Sequence, residues 1–441
     1  MACGLNARNF MEKSNEEVKV ALLGSGTVGG GVIKVLQQNA DIIAQRAGVK
    51  IKLEKVLIIQ ADVGKPILEG LNTTFSFDEI INDPEIKIVI ELIGGTKVAK
   101  DFMIKAMEHG KNVVTANKDC IAQFGKELFE TAEKYNVEFA FEASVGGGIP
   151  IIRPLKESLI ANHLTEVLGI VNGTTNYMLT KMSENGADYD AVLKEAQAMG
   201  FAEANPAADV EGLDAARKAA ILASLAFNSR VTLDDVYREG ITKITPADID
   251  YAKSLGYVVK LLAVCKDSER GIEARVHPVF LSNTHPLASV NGVLNAIFVR
   301  GDAINQAMFF GPGAGSLPTA SAVVSDIMNI ARKVINGIEL HIGCTCFNNK
   351  SICPIEESET SYYIRLLVDD KSGVLGAIAT EFGNAGVSLK SVVQTNGSVE
   401  DHAEIVVITH QVKYKNILEA EDKLKALPVV DEIRSIIRVE N

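Results

Sequence analysis

A short strand followed by a glycine loop, near the beginning of the chain, constrains the fold more than any other stretch. Residues 18–23 (VKVALL) form a mostly apolar run that is typical of a buried parallel strand. The sequence GSGTVG follows at residues 24–29, and residues 32–47 then have the periodicity of a helix. A strand, a glycine loop and a helix in this order predict a dinucleotide-binding unit, because the helix start can donate N–H groups to a pyrophosphate.

Three glycines give this loop its chemistry. Gly24 permits the tight turn, Gly26 lets the backbone approach the pyrophosphate, and Gly29 allows the helix to pack closely on the strand. Thr27 and Val28 stand at the helix start, so we expect all five residues to form the cofactor-binding loop. A glycine-rich turn without a ligand is the alternative.

Strands and helices continue to alternate up to residue 149, which predicts an α/β, Rossmann-type nucleotide-binding domain over residues 18–149. Further apolar strands are expected at 51–59, 86–93 and 111–115. Ligands of such sheets lie beyond the carboxyl ends of the strands, which places Lys118 at the cofactor crevice. A solvated loop lysine is the alternative for Lys118. Residues 1–17 lack the apolar core of a signal peptide and are interpreted as a loose N-terminal tail.

The end of the second strand leaves the choice between NAD and NADP open. An acid there favours NAD, because it binds the adenosine ribose, and an arginine favours NADP. The chain has Ile59-Gln60-Ala61-Asp62 and then Lys65, and the charges of Asp62 and Lys65 indicate opposite preferences.

The second domain begins after a run of glycines at 146–148. These glycines can turn backbone carbonyls toward an oxygen-ligated cation, or they can form a hinge between domains. Strand-like runs at 258–266, 272–282 and 293–300 predict another sheet, in an α+β domain over residues 150–316. The GPGAG loop ends at Gly315, and the amphipathic helix at 317–336 is expected to return to the first domain.

A polar segment at residues 196–218 lies within this second domain. Gly200, Pro206 and Gly212 interrupt it, and such residues fix unusual backbone paths that let polar side chains converge. Asp214 and Lys218 are four residues apart in a helical stretch, so they share one helical face. Spacing alone leaves open whether they form a surface ion pair or part of a polar site.

The carboxyl-terminal residues 361–441 are expected to form a unit of their own, after a polar linker at 341–360. The order of apolar runs and helices is βαββαβ, which predicts a ferredoxin-like fold. A small module of this kind beside a larger domain is more often a sensor or an assembly surface than a second catalytic centre.

Charge and cysteine content limit the partners that this chain can have. The net charge of −12 argues against nucleic acid or an anionic membrane, and no apolar run is long enough to span a bilayer. The six cysteines are interpreted as reduced thiols of a cytoplasmic protein. Cys344, Cys346 and Cys353 cluster in sequence, with His341 as the nearby candidate for a fourth ligand, but their spacing favours structural or incidental cysteines over a metal site.

Taken together, these segments resemble the homoserine dehydrogenase family over nearly the whole chain from residue 18. The most specific similarity is the family signature, which here comprises Ala196, Gly200, Asn205-Pro206, Asp209, Gly212, Asp214 and Lys218. The segments TANK at 115–118 and VNGTTN at 171–176 also look like family motifs. The carboxyl-terminal unit resembles an ACT domain, although Ser372 stands where its DKSGVLGAI motif usually has proline. Many relatives have an arginine at the end of the second strand, where this chain has Ile59-Gln60.

The resemblance implies reversible, NAD(P)H-dependent reduction of L-aspartate 4-semialdehyde to L-homoserine, a step in threonine and methionine biosynthesis. It makes Lys218 the proton donor and Lys118 a second cation near the nicotinamide. Glu203 and Asp214 would bind the substrate's ammonium group, with Asp209 supporting them. Gly315 would close over the nicotinamide. Sodium would bind the backbone carbonyls of Glu142, Val145, Gly147 and Ile149.

The ACT-like unit further implies an amino-acid effector, L-threonine, and a homodimer or homotetramer. Two other functions fit the same residues less completely. A different amino-acid dehydrogenase on this scaffold would need another polar cluster in place of residues 203–218. A nucleotide-sensing regulator without turnover would not explain the lysines and acids near the crevice.

Overall fold

The computed structural model describes residues 16–338, 343–396 and 401–440. Most of the expected tail (residues 1–15) and His341 therefore lie outside the described residues. The chain divides into two compact units. The first comprises Met1–His163, Ala220–Leu233 and Gly301–Asn349, and the second comprises Leu164–Ala219, Asp234–Arg300 and Lys350–Asn441.

The strands belong to two sheets, a six-stranded sheet in the first unit and a larger sheet, most of whose strands are in the second unit. In chain order they are β1 (Glu17–Leu23), β2 (Lys50–Leu57), β3 (Thr73–Thr74), β4 (Ile86–Glu91), β5 (Asn112–Thr115), β6 (Phe139–Ala140), β7 (Leu164–Ile170), β8 (Tyr237–Arg238), β9 (Tyr257–Ser268), β10 (Gly271–Ser282), β11 (Leu294–Gly301), β12 (Asn305–Pro312), β13 (Glu359–Asp369), β14 (Leu389–Asn396), β15 (His402–Thr409), β16 (Val412–Lys413) and β17 (Val430–Glu440).

The α-helices are, in the same order, α1 (Thr27–Gln38), α2 (Ala40–Ala47), α3 (Asp78–Ile81), α4 (Lys97–Glu108), α5 (Lys118–Lys134), α6 (Ala143–Gly146), α7 (Gly173–Asn185), α8 (Tyr189–Ala198), α9 (Ala207–Val210), α10 (Leu213–Ala226), α11 (Pro246–Ser254), α12 (Ser316–Ile335), α13 (Val374–Asn384) and α14 (Tyr414–Lys425). Short 3-10 turns lie at Gln60–Asp62, Pro66–Leu68, Leu233–Asp235, Pro286–Ser289 and Ile355–Glu357, and a π turn lies at Pro154–Ser158. Among the described residues, none of these helices has the length and apolar character needed to cross a bilayer.

The sheet of the first unit is parallel, with the strand order β3-β2-β1-β4-β5-β6. This is the strand order of dinucleotide-binding Rossmann sheets, and it confirms the predicted α/β class. The order reverses at β1, so the loop after β1 lies where such sheets bind their ligands. Val20, Leu22 and Ile88 are fully buried in the core beneath this loop.

Helix α12 completes the core of the first unit. Ala320, Val323 and Ile327 are buried there together with residues of β1, β4 and α1. The contact with α1 depends on Gly31, because a Cβ atom at this position would lie 2.5 Å from the carbonyl oxygen of Ser316. The Ser316 hydroxyl also donates a hydrogen bond to the Thr27 carbonyl, at 2.7 Å.

Within the second unit, the strands of the larger sheet have the order β11-β7-β9-β10-β17-β13-β15-β14. Its last four strands, with α13 and α14, have the predicted βαββαβ order and are antiparallel to one another. Strand β17 also pairs in parallel with β10, from Val279↔Arg438 to Leu281↔Glu440. The carboxyl-terminal module therefore shares one continuous sheet with the preceding part of its unit.

Two local predictions differ from the structure. The helix expected over 32–47 is divided into α1 and α2 at Asn39, whose N–H closes the first helix on the Val35 carbonyl. The second strand was expected to reach Ile59 but ends at Leu57, because the carboxylate of Asp62 accepts a hydrogen bond from the Ile59 N–H and starts a 3-10 turn.

Candidate active site

The glycine loop of the first unit has the backbone that a pyrophosphate requires. Gly24 has a φ of +94°, and a Cβ there would lie 3.0 Å from the Leu92 carbonyl oxygen. At Gly29 a Cβ would lie 2.2 Å from the Gly24 carbonyl oxygen, so helix and loop are in direct contact. Gly26 precedes α1 with no side-chain cap, and a Cβ added there would meet nothing within 4 Å. The uncapped N–H groups at Thr27 and Val28 beside this open space fit a bound phosphate group.

Asp62 and Lys65 lie next to this loop and are bonded to each other. The Lys65 ammonium donates to the Asp62 carboxylate at 2.5 Å and to the Ser25 carbonyl oxygen at 3.4 Å. The hydrogen bond from Lys65 lowers the pKa of Asp62. The second oxygen of Asp62 accepts from the Ile59 N–H, so both of its oxygens have partners and the more exposed Lys65 presents its charge at the loop.

The carboxyl ends of β4 and β5 carry a second group of polar residues. The Thr115 hydroxyl donates to the buried Glu91 carboxylate at 2.7 Å, and burial raises the pKa of Glu91. Asn117 caps α5 and donates from its amide to the Gly95 carbonyl at 2.7 Å. Lys118 is the first residue of α5 and is half-buried. It therefore lies at the strand end where the sequence predicted it.

In the second unit, Lys218 is buried within the polar segment that begins at Ala196. Its ammonium donates to the Val171 carbonyl oxygen at 2.6 Å and to the Asp214 carboxylate at 2.8 Å. Both residues are 8% exposed, so the pair is not a surface ion pair. Helix α10 places them on one face, and Val171, directly after the end of β7, supplies the carbonyl group.

Asn172 connects the acids of this cluster. Its amide donates to the Asp209 carboxylate at 2.7 Å and to the Asp214 carboxylate at 3.0 Å. Its oxygen accepts from the Thr175 N–H and hydroxyl, which fixes the orientation of the amide and caps α7. Burial raises the pKa of Asp209. Asn172 was not among the predicted site residues, although its position directly after a strand could have indicated it.

Glu203 is the predicted substrate-binding acid that the structure does not bring to this cluster. It is exposed on the loop after α8, and the Gln197 amide donates to its carbonyl oxygen at 3.1 Å. Among the described residues its carboxylate has no hydrogen-bonding partner.

The glycine-rich segment at 142–149 forms a short helix and a sharp turn in the first unit. The Glu142 carboxylate accepts hydrogen bonds from the N–H groups of residues 151, 152 and 153. Gly147 has a φ of +56°, and a Cβ there would lie 2.3 Å from the Gly313 carbonyl oxygen. Val145 and Ile149 are buried beside it. Gly315, with a φ of +115°, precedes α12 in the neighbouring loop.

The described cysteines all have free thiols. A hydrogen bond with Cys346 lowers the pKa of the exposed Cys344 thiol to about 6. In the described part of the chain, the one group spaced to share a metal ion is Asp369, His402 and Asp431, which contains no cysteine.

Three family profiles match consecutive parts of the chain. The homoserine dehydrogenase NAD-binding domain matches residues 24–142, the homoserine dehydrogenase domain matches residues 150–328, and the ACT domain matches residues 362–429. The first match includes the glycine loop and Lys118, and the second includes the Lys218 cluster.

Similar proteins match this chain over nearly their whole length. A homoserine dehydrogenase of Synechocystis sp. is 45% identical over 96% of this chain and 99% of its own length, and that of Bacillus subtilis is 41% identical over 96% and 98%. The solved structure of a homoserine dehydrogenase from Thiobacillus denitrificans is 40% identical over 97% of this chain and 99% of that chain, with a TM-score of 0.92. A hyperthermophilic archaeal homoserine dehydrogenase mutant, solved in complex with NADPH, is 28% identical over 72% and 98%, with a TM-score of 0.61. The chain therefore belongs to the homoserine dehydrogenase family of NAD(P)-dependent oxidoreductases and carries an ACT domain at its carboxyl-terminal end.

Proposed function

We propose that Lys218 donates the proton when this enzyme reduces L-aspartate 4-semialdehyde to L-homoserine, and that it accepts the proton in the reverse direction. The nicotinamide cofactor supplies the hydride. Negative charge develops on the aldehyde oxygen in this step, and a nearby ammonium group stabilises it by giving up a proton.

The hydrogen bonds of Lys218 are the observation that carries this proposal. An ammonium group has three N–H donors. The Val171 carbonyl and the Asp214 carboxylate accept two of them. Among the described residues the third has no partner, so it is available to a substrate oxygen while the other two fix its direction.

Asp214 and Glu203 are proposed to bind the substrate's ammonium group, since a carboxylate is the natural partner of a desolvated ammonium. Asp214 is buried and would approach the ammonium group from the protein interior. Glu203, on its exposed loop, would approach the ammonium from the solvent side. Asp209 is assigned a supporting role, because Asn172 joins it to Asp214.

In the first unit, Lys118 and Gly315 are proposed to contact the nicotinamide. Lys118 lies at the carboxyl end of β5, which is the ligand-binding end of the sheet. Gly315 has a backbone conformation that favours glycine and leaves the start of α12 without a side chain.

A sodium ion is proposed to bind the carbonyl oxygens of Glu142, Val145, Gly147 and Ile149. The carboxylate of Glu142 already accepts three backbone N–H groups, so its carbonyl is the ligand that it has to offer. The sharp turn at Gly147 supports the convergence of carbonyl groups that a cation requires.

We further propose L-threonine as the effector of the ACT domain, a homodimer or homotetramer as the assembly, and the cytoplasm as the location. The ACT match supports an amino-acid effector. Strand β14 lies at one end of its sheet with Val392 exposed, which provides an edge for assembly. The free thiols are consistent with a reducing compartment.

The test of Lys218 is the variant Lys218→Met, assayed by homoserine-dependent reduction of NAD and of NADP. We expect kcat to fall by about 10²–10⁴-fold, the range for loss of a general acid, while cofactor binding measured by fluorescence is retained. Lys181→Met, which removes a partly exposed lysine of α7, is the matched control and should retain activity. Equal kcat in Lys218→Met and the unmodified enzyme would overturn the assignment.

A further inference from the structure

A cleft in the second unit has no role in the chemistry described above, and its lining does not include Asp209, Asp214 or Lys218. Its volume is about 640 Å³, which is ample for a molecule the size of an amino acid. One wall is residues 433–438 of β17, and the opposite wall includes residues 238–240 and 242–244. The cleft forms because β17 pairs with β10 only from Arg438 onward, so the two strands diverge before that residue.

Charges of both signs line this cleft. They come from three glutamates, among them Glu239, and from four basic residues, among them Arg238 and Arg438. A ligand that carries both a carboxylate and an ammonium group matches this lining, whereas a ligand with one kind of charge would leave half of it unpaired.

Arg438 is the residue that indicates where a carboxylate would bind. Its side chain is 3% exposed, and one terminal nitrogen (Nη1) donates to the Glu239 carboxylate at 2.8 Å. In the described part of the chain, its Nε and Nη2 atoms and the buried hydroxyl of Tyr362 make no hydrogen bond of normal geometry. Buried donors without partners are rare, because each costs the free energy of its lost hydration.

Aromatic rings hold the guanidinium of Arg438 in place. It lies 5.0 Å from the centre of the Tyr237 ring, 5.8 Å from that of Tyr362 and 4.6 Å from that of Tyr414. Tyr414 is half-buried at the start of α14 and also lines the cleft. Movement of this one ring would give a carboxylate in the cleft access to the donors that now lack partners.

The wall formed by residues 239–241 connects the cleft to the acids near Lys218. The Ile241 N–H donates to the Val210 carbonyl at 2.8 Å, and a Cβ at Gly240 would lie 2.3 Å from the same oxygen. Val210 directly follows Asp209. Residues 239–241 are therefore in direct contact with the segment between Asp209 and Asp214.

We propose that this cleft binds an α-amino acid, with its carboxylate on Arg438 and the Tyr362 hydroxyl and its ammonium group on Glu239, and that the bound amino acid changes the position of Asp209 and Asp214 through residues 239–241. The inference rests on the proposed role of the ACT domain as the effector-binding part of the chain. It places the ligand between β17 of that domain and the 238–244 segment.

The first experiment measures thermal unfolding of the full chain with each common L-amino acid, L-threonine included, and with the carboxamide of every amino acid that binds. We expect at least one amino acid to raise the unfolding midpoint and to change the KM for homoserine, and its carboxamide to do neither. The absence of any stabilising amino acid would overturn the proposal, as would equal binding of the carboxamide.

Two variants locate the site. Thr242→Phe fills the cleft from an exposed position, and Arg438→Gln removes the guanidinium. We expect each to weaken binding by about tenfold or more, Arg438→Gln because a hydrogen bond to a charged group is lost and Thr242→Phe because its ring occupies space that the ligand needs. Thr380→Phe, at an exposed position on α13, is the matched control and should bind normally.

Folding of each variant is checked by circular dichroism and by its unfolding midpoint without ligand, so Thr242→Phe decides the matter if Arg438→Gln does not fold. Normal binding by a folded Thr242→Phe would overturn the cleft as the site and leave an effector role of the ACT domain elsewhere. Binding in the cleft by a chain that does not oxidise homoserine would leave the site standing and overturn the proposed function of Lys218.

Discussion

At the scale of single residues, Asn172 determines how the acids beside Lys218 are arranged. Its amide group stands between the carboxylates of Asp209 and Asp214 and donates to both. Without these donors, two carboxylates would repel each other in a buried site, and burial already raises the pKa of Asp209. Asn172 therefore acts as a positioning residue, through Asp214, on Lys218.

The variant Asn172→Asp tests this role. Aspartate still accepts the Thr175 N–H as a helix cap, but it brings a third carboxylate into the cluster and removes both donors. We expect kcat/KM for homoserine to fall by about 10–100-fold, with the pH at half-maximal activity displaced upward because the neighbouring acids hold protons more tightly.

The matched control is Asp188→Asn, which exchanges the same two residue types at the cap of α8, where the side chain accepts a hydrogen bond from the Ala191 N–H. It should leave both kcat/KM and the pH profile unchanged. A pH profile of Asn172→Asp that matched the unmodified enzyme would limit Asn172 to capping α7.

Lys65 and Asp62 bear on the choice of cofactor. Both oxygens of Asp62 have partners, whereas Lys65 is partly exposed beside the glycine loop. We infer that Lys65 presents its charge to the adenosine end of the cofactor and favours the 2′-phosphate of NADP. Lys65→Ala should raise the KM for NADP by about tenfold and change the KM for NAD little, measured with saturating homoserine. A parallel change in both values would exclude this preference.

Residue spacing predicted the pair Asp214 and Lys218 but could not show whether the pair is buried or exposed. The spacing of four residues places both on one helical face whether they are buried or exposed. Their burial depends on β7 and on Asn172, which precede them by some forty residues, and no local pattern encodes such a contact. Glu203 belongs to the same sequence segment, yet it lies on an exposed loop.

At the scale of elements, the contact between α1 and α12 depends on a single glycine. A methyl group at Gly31 would lie 2.5 Å from the Ser316 carbonyl oxygen, which is shorter than any normal contact. We expect Gly31→Ala to lower the free energy of unfolding by about 1–3 kcal/mol, because backbone atoms of the two helices would have to separate. Urea denaturation monitored by circular dichroism measures this value.

Gly30→Ala is the matched control, since a methyl group there would have Ile67 as its neighbour at 3.9 Å. Alanine is the better helix former, so this variant should be more stable by about 0.5–1 kcal/mol. If Gly31→Ala and Gly30→Ala change the free energy of unfolding in the same direction by the same amount, the contact between α1 and α12 does not depend on Gly31.

Periodicity predicted most elements because it reports local burial. The strands at 18–23 and 272–282 and the helix at 374–384 lie where it indicated. It did not predict the interruption at Asn39, which depends on one residue, or the strand β12, whose residues alternate between exposed and partly buried positions without a strong apolar face. Periodicity also could not predict the pairing of β17 with β10, because it shows that a strand forms but not which strand is its neighbour.

At the scale of the whole molecule, Glu440 fastens the carboxyl-terminal module to the sheet within the second unit. Its carboxylate accepts from Arg275 at 2.7 Å and from Lys266 at 2.9 Å, and all three lie on paired strands. Burial opposes its ionisation, but Lys266 and Arg275 more than compensate and lower the pKa of Glu440 to about 2. The folded chain thus holds the proton of Glu440 less tightly than the unfolded chain does. The ionised Glu440 therefore stabilises the fold at pH values above the pKa that this group has in the unfolded chain.

Glu440→Gln should lower the free energy of unfolding at neutral pH by about 3 kcal/mol, because it removes one of the two carboxylates, Glu273 and Glu440, that pair with the buried Arg275. The stabilisation by Glu440 is lost as the pH falls from about 4.5 to about 2, so the variant should lack this part of the pH dependence. Glu432→Gln, an exposed substitution on the same strand, should keep it. Identical pH profiles of stability in the two variants would contradict this role.

The return of α12 to the core of the first unit has a consequence for synthesis of the protein. Strands β1 to β6 leave the ribosome long before α12 does, yet their shared core includes Ala320, Val323 and Ile327. Until those residues have been translated, the face of the sheet that they cover is exposed to water, and such faces promote aggregation. While the segment between Ala140 and Ser316 is translated, we therefore expect a chaperone or another part of the nascent chain to cover this face of the sheet. Slower translation of this segment should lower the yield of active enzyme.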